Sequence, residues 1–169
     1  DGDGQNIYAR RYDAQGNESS IFRVDSDNSN ADTATQVEVV GLADGGFAFA
    51  WTEHRLDMGA DSPAPGYTTT YTCWRAYDES GTPIFQNRHG RTYPSDPWER
   101  GDVSISMTAD ADGGFRIVSY ADYDAKFKHI DVSATGSWHM DASIVTATQP
   151  YLNSQDLSAV GVLKTGGYV

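Results

Sequence analysis

Six short turn-and-strand segments, arranged in two interleaved series, constrain this chain more than any other feature. The first series places a turn with paired glycines before an apolar strand. It runs Leu42-Ala43-Asp44-Gly45-Gly46-Phe47-Ala48-Phe49-Ala50-Trp51, then Asp110-Ala111-Asp112-Gly113-Gly114-Phe115, and, truncated, Leu163-Lys164-Thr165-Gly166-Gly167-Tyr168-Val169. The second series is a strand that leads into a different turn: Ile7-Tyr8-Ala9-Arg10-Arg11-Tyr12-Asp13-Ala14-Gln15-Gly16, Cys73-Trp74-Arg75-Ala76-Tyr77-Asp78-Glu79-Ser80-Gly81, and Ile130-Asp131-Val132-Ser133-Ala134-Thr135-Gly136. Offsets are 68 and 53 residues in the first series and 65 and 55 in the second. Two independent markers therefore agree on a period near 53 to 55, with an insertion in the middle copy, and such periods signal a repeat architecture.

Each period reads as four short strands. Strand one alternates ahead of the Asp-Gly-Gly turn, as in Val103, Ile105, Met107 and Ala109, the period-two pattern of a half-buried strand. The paired glycines are expected to supply the positive φ angles of a tight hairpin, from which a Phe-rich strand two returns antiparallel. Strand three is the Tyr/Arg strand closed by Asp-x-x-Gly, and strand four falls around Phe22 to Val24, Ile84 to Gln86, and Ser137 to Val145. Four antiparallel strands per period predict an all-β, β-propeller-like fold with about three blades' worth of chain. The units run approximately 1–36 (partial), 37–101, 102–155 and 156–169 (partial). The opening strand pair and the closing one would form a composite blade, which removes free sheet edges. Three blades are fewer than the usual four to eight. The domain thus pairs with another copy, continues in further residues, or is not a closed propeller.

Composition tests this reading. Only 29 of 169 residues are Leu, Ile, Val or Phe, and 24 Asp and Glu against 12 Lys and Arg give a net charge of −12, values that taken alone point to disorder. Six Phe, ten Tyr and four Trp argue for a packed sheet structure instead. No apolar run approaches the ~20 residues needed to span a bilayer as a helix. The acidic balance disfavours nucleic acid and anionic membrane surfaces as partners. Cys73 is the only cysteine, so disulfides do not hold the fold. Asp1-Gly2-Asp3-Gly4 carries no signal-peptide pattern and the chain stops as a strand begins, so both ends read as cut from a longer polypeptide.

Residues 7–17, Phe22-Arg23-Val24, and Leu42 through Phe47 ending at Trp51 resemble the tandem repeats of very large bacterial type I-secreted proteins. These are RTX-type adhesins and hemolysin-type calcium-binding proteins, in which such repeats follow an acidic lead like residues 1–4. The likeness covers the first 51 residues best, extends through 121, and fades toward the end. It implies a secreted, extracellular, cell-surface setting rich in calcium and a role in adhesion or ligand binding, and it brings no catalytic motif. The chain departs from the pattern in an extra segment at 53–69 and in Ser119, where the family would show Trp.

The leading Ca²⁺ candidate is the stretch 25–32. Asp25, Asp27 and Ser29 fall at positions 1, 3 and 5 of an EF-hand-like loop, with Asp32 beyond them, and hard oxygen donors suit Ca²⁺. Position 12 is Gln36 rather than a bidentate Glu, and the stretch reads equally as a polar loop between blades. Asp1 and Asp3 form a weaker candidate. Two segments of the middle repeat, 53–67 and 88–102, are expected to be long loops on one face. They carry His54, Arg55, Tyr67, His89, Arg91, Tyr93, Trp98 and Glu99, a set suited to glycan: aromatic rings stack on a pyranose while Arg and carboxylates take hydroxyls or acidic groups. The plainer reading is that these loops pack on themselves.

Two further readings stay open. A polysaccharide lyase would use His54 or His89 as base, Tyr67 or Tyr93 as acid and Arg91 to neutralise a uronate, while Glu99 with Asp102 or Asp57 would form a glycosidase pair. The other is a structural spacer or assembly module, in which the partner is a second copy or the remaining blades. No Gly-x-Ser-x-Gly elbow and no nucleotide-phosphate loop is present. The four scattered histidines show no zinc-ligand spacing, and His129 and His139 read as structural.

Overall fold

Turn chemistry sets the strand order. In the computed structural model, which describes residues 6–25, 33–57, 67–92, 104–121 and 126–141, both turn series adopt one geometry. The Leu42 N–H donates to Gly46 O (2.8 Å) and the Gly45 N–H to Leu42 O (3.1 Å), and Asp110, Gly113 and Gly114 repeat the pattern. The same pair of bonds closes the turns at Asp13–Gly16–Asn17, Asp78–Gly81–Thr82 and Ser133–Gly136–Ser137. In all five the fourth residue is a glycine with φ between 83° and 88°. This is the three-residue hairpin loop that needs a left-handed residue. The two series were expected to differ in turn type, and they do not.

Paired glycines also divide their labour differently from expectation. Only the first of each pair, Gly45 and Gly113, takes positive φ. The second is required by close approach: a Cβ on Gly46 would lie 2.4 Å from the Tyr77 carbonyl oxygen, and one on Gly114 would lie 2.5 Å from that of Val132.

The described residues form ten strands: β1 (Tyr8–Ala9), β2 (Phe22–Arg23), β3 (Thr33–Gly41), β4 (Phe47–Asp57), β5 (Tyr67–Tyr77), β6 (Pro83–Thr92), β7 (Ser104–Ala109), β8 (Phe115–Ala121), β9 (Lys126–Val132) and β10 (Trp138–Asp141). They form a two-stranded sheet, β1–β2, and two four-stranded antiparallel meanders, β3-β4-β5-β6 and β7-β8-β9-β10. The described chain is therefore all-β. These sheets do not close into a ring among the described residues. The insertion in the middle copy was expected as loops, but much of it is strand. β4 runs to Asp57, β5 starts at Tyr67 and β6 continues to Thr92, so this meander is longer than the next.

Alternation in β4, Phe47-Ala48-Phe49-Ala50-Trp51, explains the layering, because successive side chains of a strand point to opposite faces. The aromatic face meets the β1–β2 hairpin, where Ile7, Val24, Phe49, Trp51, Cys73 and Tyr77 form one core cluster. Phe47 stacks on Tyr77 at 5.0 Å, and Phe22 lies 5.4 Å from the same ring. The alanine face lets the other meander come close: Ala48, Ala50, Trp74 and Ala76 pack against Ile105, Met107, Phe115, Ile117, Ile130 and Val132. Phe85 stacks on Phe115 at 6.2 Å and Trp74 meets Trp138 edge-on at 5.6 Å. Full burial of a side chain such as Phe115 contributes about 1.5–3 kcal/mol. The central meander is thus covered on both faces.

Candidate functional site

Where the β1–β2 hairpin meets the central meander, a cleft of about 330 Å³ opens over β4, β5 and β6. Register builds it. Trp51, Cys73 and Arg88 lie side by side on three adjacent strands, flanked by the row Phe49, Arg75 and Gln86 and by the pair Glu53 and Tyr71. Asp25 closes the cleft from the hairpin side.

Its polar groups are held in place. Arg75 is buried, donates from Nη1 to the Val24 carbonyl (2.8 Å), and also bonds the Gln86 side chain, so it ties the sheet to the hairpin. Asp25 is buried and accepts from Arg23 Nε at 2.8 Å. Glu53 is only 1% exposed, and the Cys73 thiol donates to its Oε2 at 3.6 Å. Arg88 is exposed and its guanidinium carbon lies 4.9 Å from the centroid of the half-buried Tyr71 ring, a cation–π contact. Trp51 contributes an aromatic wall, and its buried Nε1 has no hydrogen-bond acceptor among the described residues. The carboxylates of Asp25 and Glu53 balance the guanidinium groups of Arg75 and Arg88 in number, and amide groups from Gln86 and Asn87 add to the lining. Aromatic surface beside fixed donors and acceptors suits a small polar ligand bearing hydroxyls. A wider, shallower groove of about 700 Å³ lies at the turn end of the hairpin, beside Tyr12, Asn17, Phe47 and Glu79.

The residues singled out from sequence are distributed as follows. His54 and Arg55 belong to β4, Tyr67 to β5, and His89 and Arg91 to β6, so these five sit in strands rather than in loops. Register brings three positions together: His54 pairs with Thr70, and Thr70 pairs with Arg91. His89 pairs with Thr72, one step nearer the core. Tyr93, Trp98 and Glu99 lie outside the described residues, as do Asp27, Ser29 and Asp32 of the calcium stretch. Asp25 is described, and its pairing with Arg23 commits one of its oxygens. Among the described residues no three His, Cys, Asp or Glu side chains form a metal-ligand group.

Sequence reading passed over Trp51, Glu53, Arg75, Gln86 and Arg88 as site residues and took Cys73 for a small core residue, which its burial supports. The usable signal was Arg75, a charge set within the apolar and aromatic stretch Cys73-Trp74-Arg75-Ala76-Tyr77.

The Asp-containing turns are structural. Asp13 accepts from the backbone N–H groups of Gln15 and Asn17 and from the Asn17 side chain, and the Asn17 side-chain bond is the main reason its pKa lies below the ordinary carboxylate value. Asp78 is lowered likewise, first by the Ser80 hydroxyl and then by the Thr82 N–H. Asp110 is raised, because burial outweighs the nearby Arg116.

No protein-family model, no curated protein and no solved structure matches this chain.

Proposed function

We propose that this chain is a propeller-type repeat module of a secreted bacterial surface protein that binds carbohydrate without turning it over. The observation that carries the reading is the cleft beside the hairpin. It combines the Trp51 wall, the Arg88–Tyr71 pair and the polar groups of Arg75, Gln86 and Glu53 on one rigid sheet face. A pyranose offers an apolar face to an aromatic ring and hydroxyls to guanidinium, amide and carboxylate groups, so this lining matches the ligand class. Support for the propeller comes from the two meanders, which share strand order and turn hydrogen bonds, and from the ring contact that a Phe at the start of strand two makes with a Phe of the preceding sheet, Phe47 with Phe22 and Phe115 with Phe85. Calcium would act at the 25–32 stretch, whose first residue, Asp25, lines the cleft, and the resemblance to calcium-dependent repeats supports it.

Glycan-array binding with and without chelator, followed by titration of the positive sugars, tests both parts. Arg88→Ala is expected to weaken binding while leaving the fold intact, since Arg88 is exposed. Absence of binding in either condition, with melting unchanged by chelator, would refute the glycan and the calcium readings together.

One observation favours a second reading. His54 and Arg91 flank Thr70 on adjacent strands, a juxtaposition that suits base and charge neutraliser of a polysaccharide lyase. Incubation with alginate, ulvan and pectin, followed by absorbance of unsaturated products, separates lyase from binder.

A further inference from the structure

Strand register changes the reading of the histidines. β9 and β10 carry the same kind of triplet, His129-Ile130-Asp131 and His139-Met140-Asp141. Ile130 and Met140 pair with each other and pack in the core between the sheets, so His129, Asp131 and His139 fall on the opposite, outer side of the hairpin. Because the strands are antiparallel, the triplets cross: Asp131 pairs with His139, and Asp141 holds the register position opposite His129. Directly paired residues have Cβ atoms about 4.5–5.5 Å apart, within the reach of two side chains that share one ion.

Half of a ligand set is already assembled. His129 Nε2 lies 3.3 Å from Asp131 Oδ2. Two ligands of a tetrahedral ion with bonds of about 2.0–2.1 Å are separated by roughly 3.3 Å. The other oxygen of Asp131 is ion-paired with the Arg116 guanidinium, Nε to Oδ1 2.6 Å, the kind of outer contact that orients a ligating carboxylate. Asp131 is half-exposed and His139 is exposed, so an ion can reach the site from solvent. Among the described residues the side chains do not yet form a three-ligand group. Closure requires His139 to swing across the strand pair toward Asp131.

We propose that the outer face of the β9–β10 hairpin binds a divalent transition ion of the zinc class through His129, Asp131 and His139. Two imidazoles with a carboxylate select zinc, cobalt, nickel or copper over calcium, whose preference is for oxygen donors. The site is therefore distinct in place and in chemistry from the calcium stretch near Asp25.

The untagged full chain, stripped with chelator and desalted, is titrated with Zn²⁺ by calorimetry and with Co²⁺ by visible absorption. The expected result is one equivalent bound, with the intense visible bands of four-coordinate Co²⁺. His139→Ala, at an exposed position, should weaken affinity roughly tenfold or more and leave the metal-free unfolding midpoint unchanged. Asp131→Asn should act in the same direction. The double variant His54→Ala/His89→Ala, which changes the other two histidines of the chain, should bind as the parent does. Absence of saturable binding, survival of full affinity in His139→Ala, or loss of binding in the His54/His89 double variant would each overturn the assignment.

Discussion

Replacement of Gly46 by alanine tests whether close backbone approach, and not turn flexibility, requires glycine where β4 begins. The new Cβ would lie 2.4 Å from Tyr77 O and 3.1 Å from Asp44 Oδ1. An ordinary carbon–oxygen contact is about 3.3 Å, so β4 and the end of β5 must part by roughly 0.9 Å. That displacement strains the Leu42–Gly46 hydrogen bond (2.8 Å) and the Phe47–Tyr77 ring stack (5.0 Å). Overpacking of this kind costs about 1–3 kcal/mol, and a weakened hydrogen bond adds about 1 kcal/mol, for a total of about 2–4 kcal/mol. In a chain of this length the melting temperature should fall by about 5–15 °C. Two other glycines calibrate the measurement. Gly41 has open space and no positive φ, so Gly41→Ala should stabilise by about 0.4–1 kcal/mol through the unfolded chain. Gly16 has open space but φ of 84°, so Gly16→Ala carries left-handed strain of about 1–2 kcal/mol, partly offset by the same entropic gain. Urea unfolding followed by tryptophan fluorescence should rank Gly41→Ala above the parent, then Gly16→Ala, then Gly46→Ala. A Gly46→Ala midpoint at or above that of Gly16→Ala would refute the close-approach argument.

Other outcomes follow from individual contacts. Asp110 has a raised folded pKa, so its ionised form opposes folding above that value and the penalty disappears below the unfolded pKa near 3.8; Asp110→Asn should therefore raise the melting temperature at pH 7 and have no effect at pH 3. Asp78 is lowered, so its contribution is present above 3.8 and lost as pH falls through the folded value; Asp78→Asn should lower the melting temperature at pH 7 and converge with the parent in acid. Cys73 is buried, so Ellman's reagent should modify it only at urea concentrations that unfold the chain, and fast labelling of the native protein would contradict its placement. Phe115→Ala should cost about 3–5 kcal/mol in the same urea assay, because Phe115 is fully buried between the meanders and its ring stacks on Phe85.

The hairpins were legible in the sequence because their chemistry is local. The glycine three residues after Asp13, Leu42, Asp78, Asp110 and Ser133 takes the left-handed conformation, and the five loops differ in sequence while sharing one geometry. The central strands were harder to bound. Residues 53–57, 67–72 and 88–92 are rich in Thr, His and Arg, which read as loop by polarity, although the run Thr68-Thr69-Thr70-Tyr71-Thr72 has high β propensity. Length was misread because pairing between strands, not hydrophobic alternation, extends them. The cleft was invisible for the same reason: Trp51, Cys73 and Arg88 are far apart in sequence and adjacent only through register. Crossed His–Asp pairs on β9 and β10 likewise require knowing which residue of one strand lies opposite which residue of the other.

Coverage of the central meander on both faces has a kinetic consequence. Amides of β4 and β5 are hydrogen-bonded to strands on either side and roofed by the hairpin on one face and by β7–β10 on the other. Elements with that double protection exchange their hydrogens last, and opening begins at the outer layers and moves inward. The floor of the cleft therefore belongs to the slowest-exchanging part of the molecule, whereas its hairpin wall, two residues per strand, belongs to one of the fastest. A ligand seated there would rest on a fixed floor beneath a wall that loosens first, so its escape would be governed by fraying of β1–β2 and not by unfolding of the sheet that recognises it.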